Sequence, residues 1–376
     1  MKKPVILILS ILLVAVMVLG ACGTKTTTVT TTTGTTSTAT STATSTATTT
    51  TTATTTFKPI VWKAATTTPA TAPPGKALTM FAEKVAEETE GRLTFQIYYT
   101  SSLFEAKEAL RSMEAGIGQI SDLWPGAMPG VMPLHDVFSL AGLGWPDTET
   151  STKIVNEVVA NSPALQAEFG TLIPYALCTV NPPTMLHSKS KQIKTQADLK
   201  GQLILGANAS VAALWEALGA TTVFIPYEDT YLSWDKGIFD VTASSFGWMM
   251  GAGVMDIPKY HTLLGTTLQQ STHMLVINQE AWDTLPADIQ QILTDLEYYY
   301  AEQSIELEAA AEVTGRAYAE EHGQQFYDLP AAELSKWLEV AKPLHEEWIA
   351  AKDAQGVEGA QEVYDLLMAT IAKYKK

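Results

Sequence analysis

The side chains able to do chemistry are distributed in a way that argues against catalysis. His135-Asp136 is the one histidine beside a carboxylate in a predicted loop, while His261, His322 and His345 stand without ligand spacing. No HxxxH pair or cysteine cluster is present to hold a metal. The GxGxxG and GxxxxGK[ST] phosphate loops are absent, and no serine has a nucleophile-elbow setting. The paired carboxylates Glu87-Glu88, Glu320-Glu321 and Glu346-Glu347 fall in helical patterns, where they read as solvated faces. The expectation is a non-enzyme with no catalytic residue, metal or cofactor.

One residue does carry a covalent chemistry. Lys2-Lys3 and an apolar run over residues 5–19 have the make-up of a signal peptide, shorter than a comfortable membrane span. The following Leu19-Gly20-Ala21-Cys22 resembles the lipobox of exported bacterial lipoproteins. That resemblance implies a signal peptide over 1–21, cleavage before Cys22 and lipidation of its thiol. An uncleaved anchor helix is the alternative, which Ser10 and Gly20-Ala21 fit less well. Residues 22–56 are almost entirely Thr, Ser and Ala with Lys25 as the one charge, too polar to offset the entropy of ordering. A disordered tether is expected there, bare or O-glycosylated. Cys178, the one other cysteine, stands in an apolar setting and reads as core.

The elements that must position any site lie beyond residue 57. This part is long enough for two lobes, and a formal charge of -16 argues against nucleic acid or an acidic membrane surface as partner. Strand patterns at 60–64, 93–99 and 119–123 alternate with helical patterns at 76–89, closed by Gly91, and 105–115, ended by Gly116. A turn-rich stretch follows at 125–133. This β-α-β-α-β order predicts a mostly parallel, helix-covered sheet. A second α/β lobe follows from strands at 184–187, 203–206 and 222–226 and a helix at 210–218 ended by Gly219. From Pro286 onward the pattern is wholly helical. Its long segment 286–321 exceeds the width of one lobe and is suited to bracing two.

Several short motifs stand in the order of one family. They are Ala197-Asp198-Leu199-Lys200-Gly201, Leu218-Gly219-Ala220, Tyr231, Lys236-Gly237-Ile238-Phe239-Asp240, Leu275-Val276-Ile277-Asn278 and Trp282-Asp283-Thr284-Leu285-Pro286-Ala287-Asp288. Upstream, Gly91-Arg92, Leu103, Glu114-Ala115-Gly116 and the stretch 133–140 fit as well. The chain resembles substrate-binding proteins of tripartite ATP-independent periplasmic (TRAP) transporters from residue 57 to the helical end. The resemblance implies a two-lobed α/β periplasmic-binding-protein-like fold with hinge strands and a long bracing helix. Residues 57–180 and 271–310 would form lobe I, and 181–270 and 311–376 lobe II. It also implies extracytoplasmic capture of a small organic molecule and delivery to TRAP-type permease subunits, while the lipobox implies a lipid anchor to the membrane and the charge argues for no nucleic-acid partner.

The family usually grips a ligand carboxylate with arginine, through two parallel hydrogen bonds. Counting along the motif, that position is Leu205, and a second arginine position corresponds to Met185. Arg92, Arg111 and Arg316 fall in helical or turn patterns. The family positions therefore describe an aromatic, nearly uncharged site. Asn208, Tyr227, Ser244 and Ser245 would line it from the second lobe, Thr66, Thr67 and Trp124 from the first, with Trp248 a further candidate. Such a site suits an aromatic, aliphatic or otherwise amphipathic solute, and ring faces would also accept a cation. The alternatives are an organic acid held by Lys63, His187 or His273, a ligand sensor in place of a transport component, and a surface adhesive protein.

Overall fold

The computed structural model describes residues 58–375, except 129, 180–183, 207–208, 266 and 269. The signal peptide, Cys22 and the whole tether to residue 56 lie outside the described residues, as does Asn208. What is described falls in one compact unit.

The chain builds two mixed sheets. The first has strand order β2-β1-β3-β10-β4, from β1 (Ile60–Thr66), β2 (Leu93–Tyr98), β3 (Ile120–Leu123), β4 (Leu172–Thr179) and β10 (Thr272–Asn278). β1 runs parallel to β2 and β3, and β10 is inserted antiparallel between β3 and β4. The second sheet has order β11-β9-β5-β8-β6-β7, from β5 (Met185–Ser188), β6 (Leu203–Leu205), β7 (Thr221–Val223), β8 (Val241–Ser244), β9 (Tyr260–Leu263) and β11 (Gln325–Asp328). β6 is parallel to β7 and β8, while β5 is antiparallel to β8 and β9. The chain thus leaves the first sheet after β4, builds most of the second, and returns through β10. Two α/β lobes joined by crossing segments is the architecture that the motif order implies.

Each lobe is held by apolar strand faces against helices. In the first, helix Pro73–Glu88 buries Leu78, Phe81 and Val85 against Trp62, Ile120, Leu275 and Ile277. Burying a side chain of that size contributes roughly 1.5–3 kcal/mol. Cys178 on β4 is fully buried there, and burial pushes its thiol pKa well up. In the second lobe, helix Ala209–Ala217 sets Leu214 and Trp215 against Ile204, Val241 and Trp337. The motif residues act as fold residues. The Asp198 carboxylate accepts from the Lys194 and Thr195 amides at 3.0 and 2.9 Å, and Gly219, at φ +98°, ends its helix where other residues would be strained.

The helix Tyr299–Glu321 runs across both lobes. Its start, Tyr300 and Ala301, packs in the first lobe's core, and Ala319 packs in the second's. The 286–321 segment is not one helix, however. Ala287–Asp295 ends before the long helix begins, because the Tyr175 hydroxyl donates to the Leu293 carbonyl and Leu296 closes a tighter turn. Nor is the chain wholly helical beyond Pro286. Gln325–Asp328 forms the edge strand β11, parallel to β9, a strand too short and half-buried to show a period. The packing also divides the C-terminal region differently from the boundary at 311. Helix Ala360–Tyr374 sets Val363, Leu367 and Ile371 against Ile154, Val155 and Val158 of helix Thr148–Asn161, in the first lobe. Among the described residues no helix is long and apolar enough to cross a membrane.

Candidate ligand-binding site

The parallel strands of both lobes end at one place, and the ends of such strands are where open α/β sheets bind ligands. β1 and β3 deliver Thr67, Thr68 and Trp124, while β6 and β8 deliver Leu205, Gly206 and Ser244. Between them is a cavity of about 540 Å³, within the range of small-molecule sites. Seven of the residues that the sequence reading placed in the pocket line it: Thr67, Trp124, Leu205, Tyr227, Ser244, Ser245 and Trp248.

Aromatic faces dominate the walls. Tyr227 and Trp248 meet edge to face with centroids 5.8 Å apart, and Trp124 stacks on His273 at 6.2 Å with planes 8° from parallel. Burial raises the Tyr227 phenol pKa, with the Glu308 charge adding to the effect. The lobes touch here. A Cβ added at Gly251 of helix Phe246–Gly251 would lie 2.6 Å from the Tyr227 hydroxyl and 3.0 Å from Cβ of Ala72, at the head of the first lobe's helix.

Two candidates stand behind the walls. Thr66 is buried below the cavity, where its hydroxyl donates to Asp122 Oδ2 at 3.1 Å and its neighbours Thr67 and Thr68 face inward instead. Met185 pairs with Ser244 on one side and Leu263 on the other, buried in the second lobe's core.

The groups that might replace an arginine are also placed. Lys63 is exposed on β1 and does not line the cavity. His187 is fully buried, its Nδ1 2.7 Å from His261 Nδ1, in a pair whose pKa values burial depresses, to about 4 for His261. His273 alone of the three lines the cavity, with Nδ1 3.0 Å from Asp122 Oδ1. No arginine is among the lining residues, and Lys107 lies at the exposed rim beside Glu105. Among the described residues no cluster of His, Cys, Asp and Glu could hold a metal.

The sequence reading missed the carboxylate of the site. Glu308, midway along the long helix, lines the cavity at 6 % exposure and accepts from the Ser245 hydroxyl at 2.6 Å. One turn on, Glu312 accepts from the Gly247 amide at 3.0 Å. Burial pushes each carboxyl up to about 7. Gly247 is what allows this approach, since a Cβ there would lie 2.3 Å from Glu308 Oε1. The available signal was the helix stripe Ser304, Glu308, Glu312 and Gly315, where small residues at helical spacing mark a packed face. Gln270 was missed too: it is 3 % exposed, and neither amide heavy atom has a hydrogen-bond partner.

Two α/β lobes with an aromatic cavity between them at their strand ends define a solute receptor of the periplasmic-binding-protein class. The sequence pattern of bacterial extracellular solute-binding proteins, family 7 (DctP), matches residues 64–352. The chain belongs to that extracellular family, whose members bind solutes and are not enzymes. It is 24 % identical over 298 residues to the C4-dicarboxylate-binding periplasmic protein DctP of Rhodobacter capsulatus, covering 77 % of this chain and 86 % of the relative. Its fold resembles that of a TRAP solute-binding protein of Rhodoferax ferrireducens T118 in complex with copurified benzoate. The TM-score is 0.77 at 24 % identity, over 84 % of this chain and 98 % of that one. A marine metagenome TRAP protein specific for aromatic acids, in complex with metahydroxyphenylacetate, gives 0.76 at 22 % identity, over 84 % of this chain and 100 % of that one.

Proposed function

We propose that this chain captures an amphipathic organic solute with a ring or branched aliphatic body between its lobes and presents it to a TRAP-type permease. The observation that carries this reading is the cavity itself: Trp124 from one lobe, Tyr227 and Trp248 from the other, and no arginine among them. Apolar walls with a few unpartnered polar atoms, on Ser244 and Gln270, favour a solute with one apolar body and a neutral polar edge. The benzoate and metahydroxyphenylacetate bound by the two similar structures are of a size and shape that such walls accommodate. Closure is a population shift, in which a solute bridging both lobes gains its contacts only when they meet.

Acylation of Cys22 would hold this receptor at the outer face of the membrane, and residues 22–56 would give it reach to the permease. A thioether-linked lipid, detected by mass spectrometry of the mature N-terminus, tests that part. Adjacent permease genes support transport, whereas an adjacent histidine kinase supports sensing.

An organic acid held by His273 is the second reading, favoured by that ring's place in the wall. It competes with Asp122, which already engages His273. Thermal-shift screening of the full chain against aromatic, neutral aliphatic and acidic metabolites decides between them, because a ligand that binds the folded state raises its melting temperature. Aromatic or neutral compounds are expected to stabilise. Stabilisation by dicarboxylates alone would overturn the uncharged-grip reading.

A further inference from the structure

Resting on the reading of the cavity as a solute site, we infer that the solute carries a positive charge, an ammonium or related onium group, held by Glu308 and the surrounding ring faces. The argument begins with the charges that reach the interior. Glu308 is a carboxylate-bearing residue inside the cavity, at 6 % exposure. Behind the wall, Asp122 is 1 % exposed and takes up His273. Glu312 sits one turn along the same helix from Glu308. Among the described lining residues there is no arginine, and the one lysine, Lys107, lies at the exposed rim with Glu105. The His273 ring, already engaged by Asp122, is the one basic group beside these carboxyls among the described lining residues apart from Lys107 at the rim.

A carboxylate solute placed there would meet the Glu308 carboxyl away from bulk water, where repulsion is less screened than at the surface. A cation meets the opposite. Three electron-rich rings, those of Trp124, Tyr227 and Trp248, line the same space, and ring faces attract ammonium groups most strongly when water is excluded. Glu308 is also held in place for this task. The Ser245 hydroxyl donates to Oε1 at 2.6 Å while its oxygen accepts from the Trp248 amide at 3.0 Å, so the carboxyl, the serine and the ring-bearing helix are fixed as one unit. Gln270, buried with its amide unpartnered, supplies a neutral polar contact for another part of the solute.

A pH signature follows. Glu308 faces Glu312 from its own helix, His273 from β10 and the Tyr227 phenol from the second lobe, while Asp122 of β3 reaches it only through His273. Burial holds part of Glu308 protonated near neutrality. A bound cation would therefore displace its proton to the buffer. Cation binding should strengthen between about pH 6 and about pH 8, with proton release on binding.

The test uses three probes of one shape: benzylammonium, benzyl alcohol and benzoate. They are titrated calorimetrically into the full chain in mild detergent, in two buffers of different ionisation heat. We expect benzylammonium to bind at least about tenfold more tightly than benzoate, with proton release. Glu308→Gln should remove that preference while still binding benzyl alcohol, and Glu312→Gln should keep it. Should Glu308→Gln fail to fold, the proton release and pH trend of the unaltered chain decide alone. Binding of benzoate or benzyl alcohol with none of benzylammonium would overturn this inference and leave the receptor reading standing. Binding of none of the three would overturn both.

Discussion

Glu308 and Glu312 leave water on folding, and the bonds they accept, from the Ser245 hydroxyl and the Gly247 amide among them, do not offset that burial, so both favour the protonated form. A carboxyl whose folded pKa lies near 7, above its unfolded value, binds more protons folded than unfolded. Its contribution is therefore most favourable below about pH 4.5 and is lost as pH rises through about 7. Glu308→Gln should accordingly raise the melting temperature at about pH 8, by on the order of 1–3 kcal/mol of stability, and leave it nearly unchanged at about pH 5. Calorimetric melting at the two pH values checks this. Leu205 offers the reverse experiment. It lines the cavity, close to fully buried, at the end of β6, so Leu205→Arg should bring benzoate binding to the site with a gain of about tenfold or more, read by titration. Leu205 was legible because Gly201 and the strand after it fix the count. Glu308 was not, because a glutamate in an alanine-rich helix looks the same whether it meets water or a cavity.

The long helix Tyr299–Glu321 is the element on which both lobes depend. It meets the second lobe tightly at Gly315, where a Cβ would lie 2.5 Å from Cβ of Phe246. Backbone on one side and a fully buried ring on the other leave no room to yield. Gly315→Ala should therefore destabilise the protein by about 1–3 kcal/mol despite the better helix propensity of alanine, seen as a lower urea midpoint. An unchanged midpoint would mean the helix can slide. That this helix braces two lobes was legible from its apolar length. Its start was not, because the break at residues 296–298 comes from the Tyr175 hydroxyl, which reaches it from a distant strand. β11 was hidden likewise, since four half-buried residues at a sheet edge carry too little pattern.

At the scale of the molecule, the lobes meet where Ala72 faces Gly251 and Tyr227. A closed receptor of this kind should trap its cargo when locked. The Cβ positions at 72 and 251 lie about as near as a disulfide requires, slightly inside its usual span. Ala72→Cys/Gly251→Cys is thus expected to cross-link on oxidation and then to exchange solute at least about tenfold more slowly than its reduced form, measured by release of a labelled ligand. Cys178, buried with a raised thiol pKa, should not interfere. The two-lobed plan was legible from the order of strands and motifs, because local patterns set it. The docking of helix Ala360–Tyr374 onto the first lobe was not, since an amphipathic helix states that it has a partner without stating which. The central claim is that aromatic side chains from opposite lobes grip one solute. It is tested most directly by titrating a compound chosen by thermal shift into the unaltered chain, Trp124→Ala and Tyr227→Ala. The account predicts that each variant binds about tenfold or more weakly while keeping its fold, and unchanged affinity in both would contradict it.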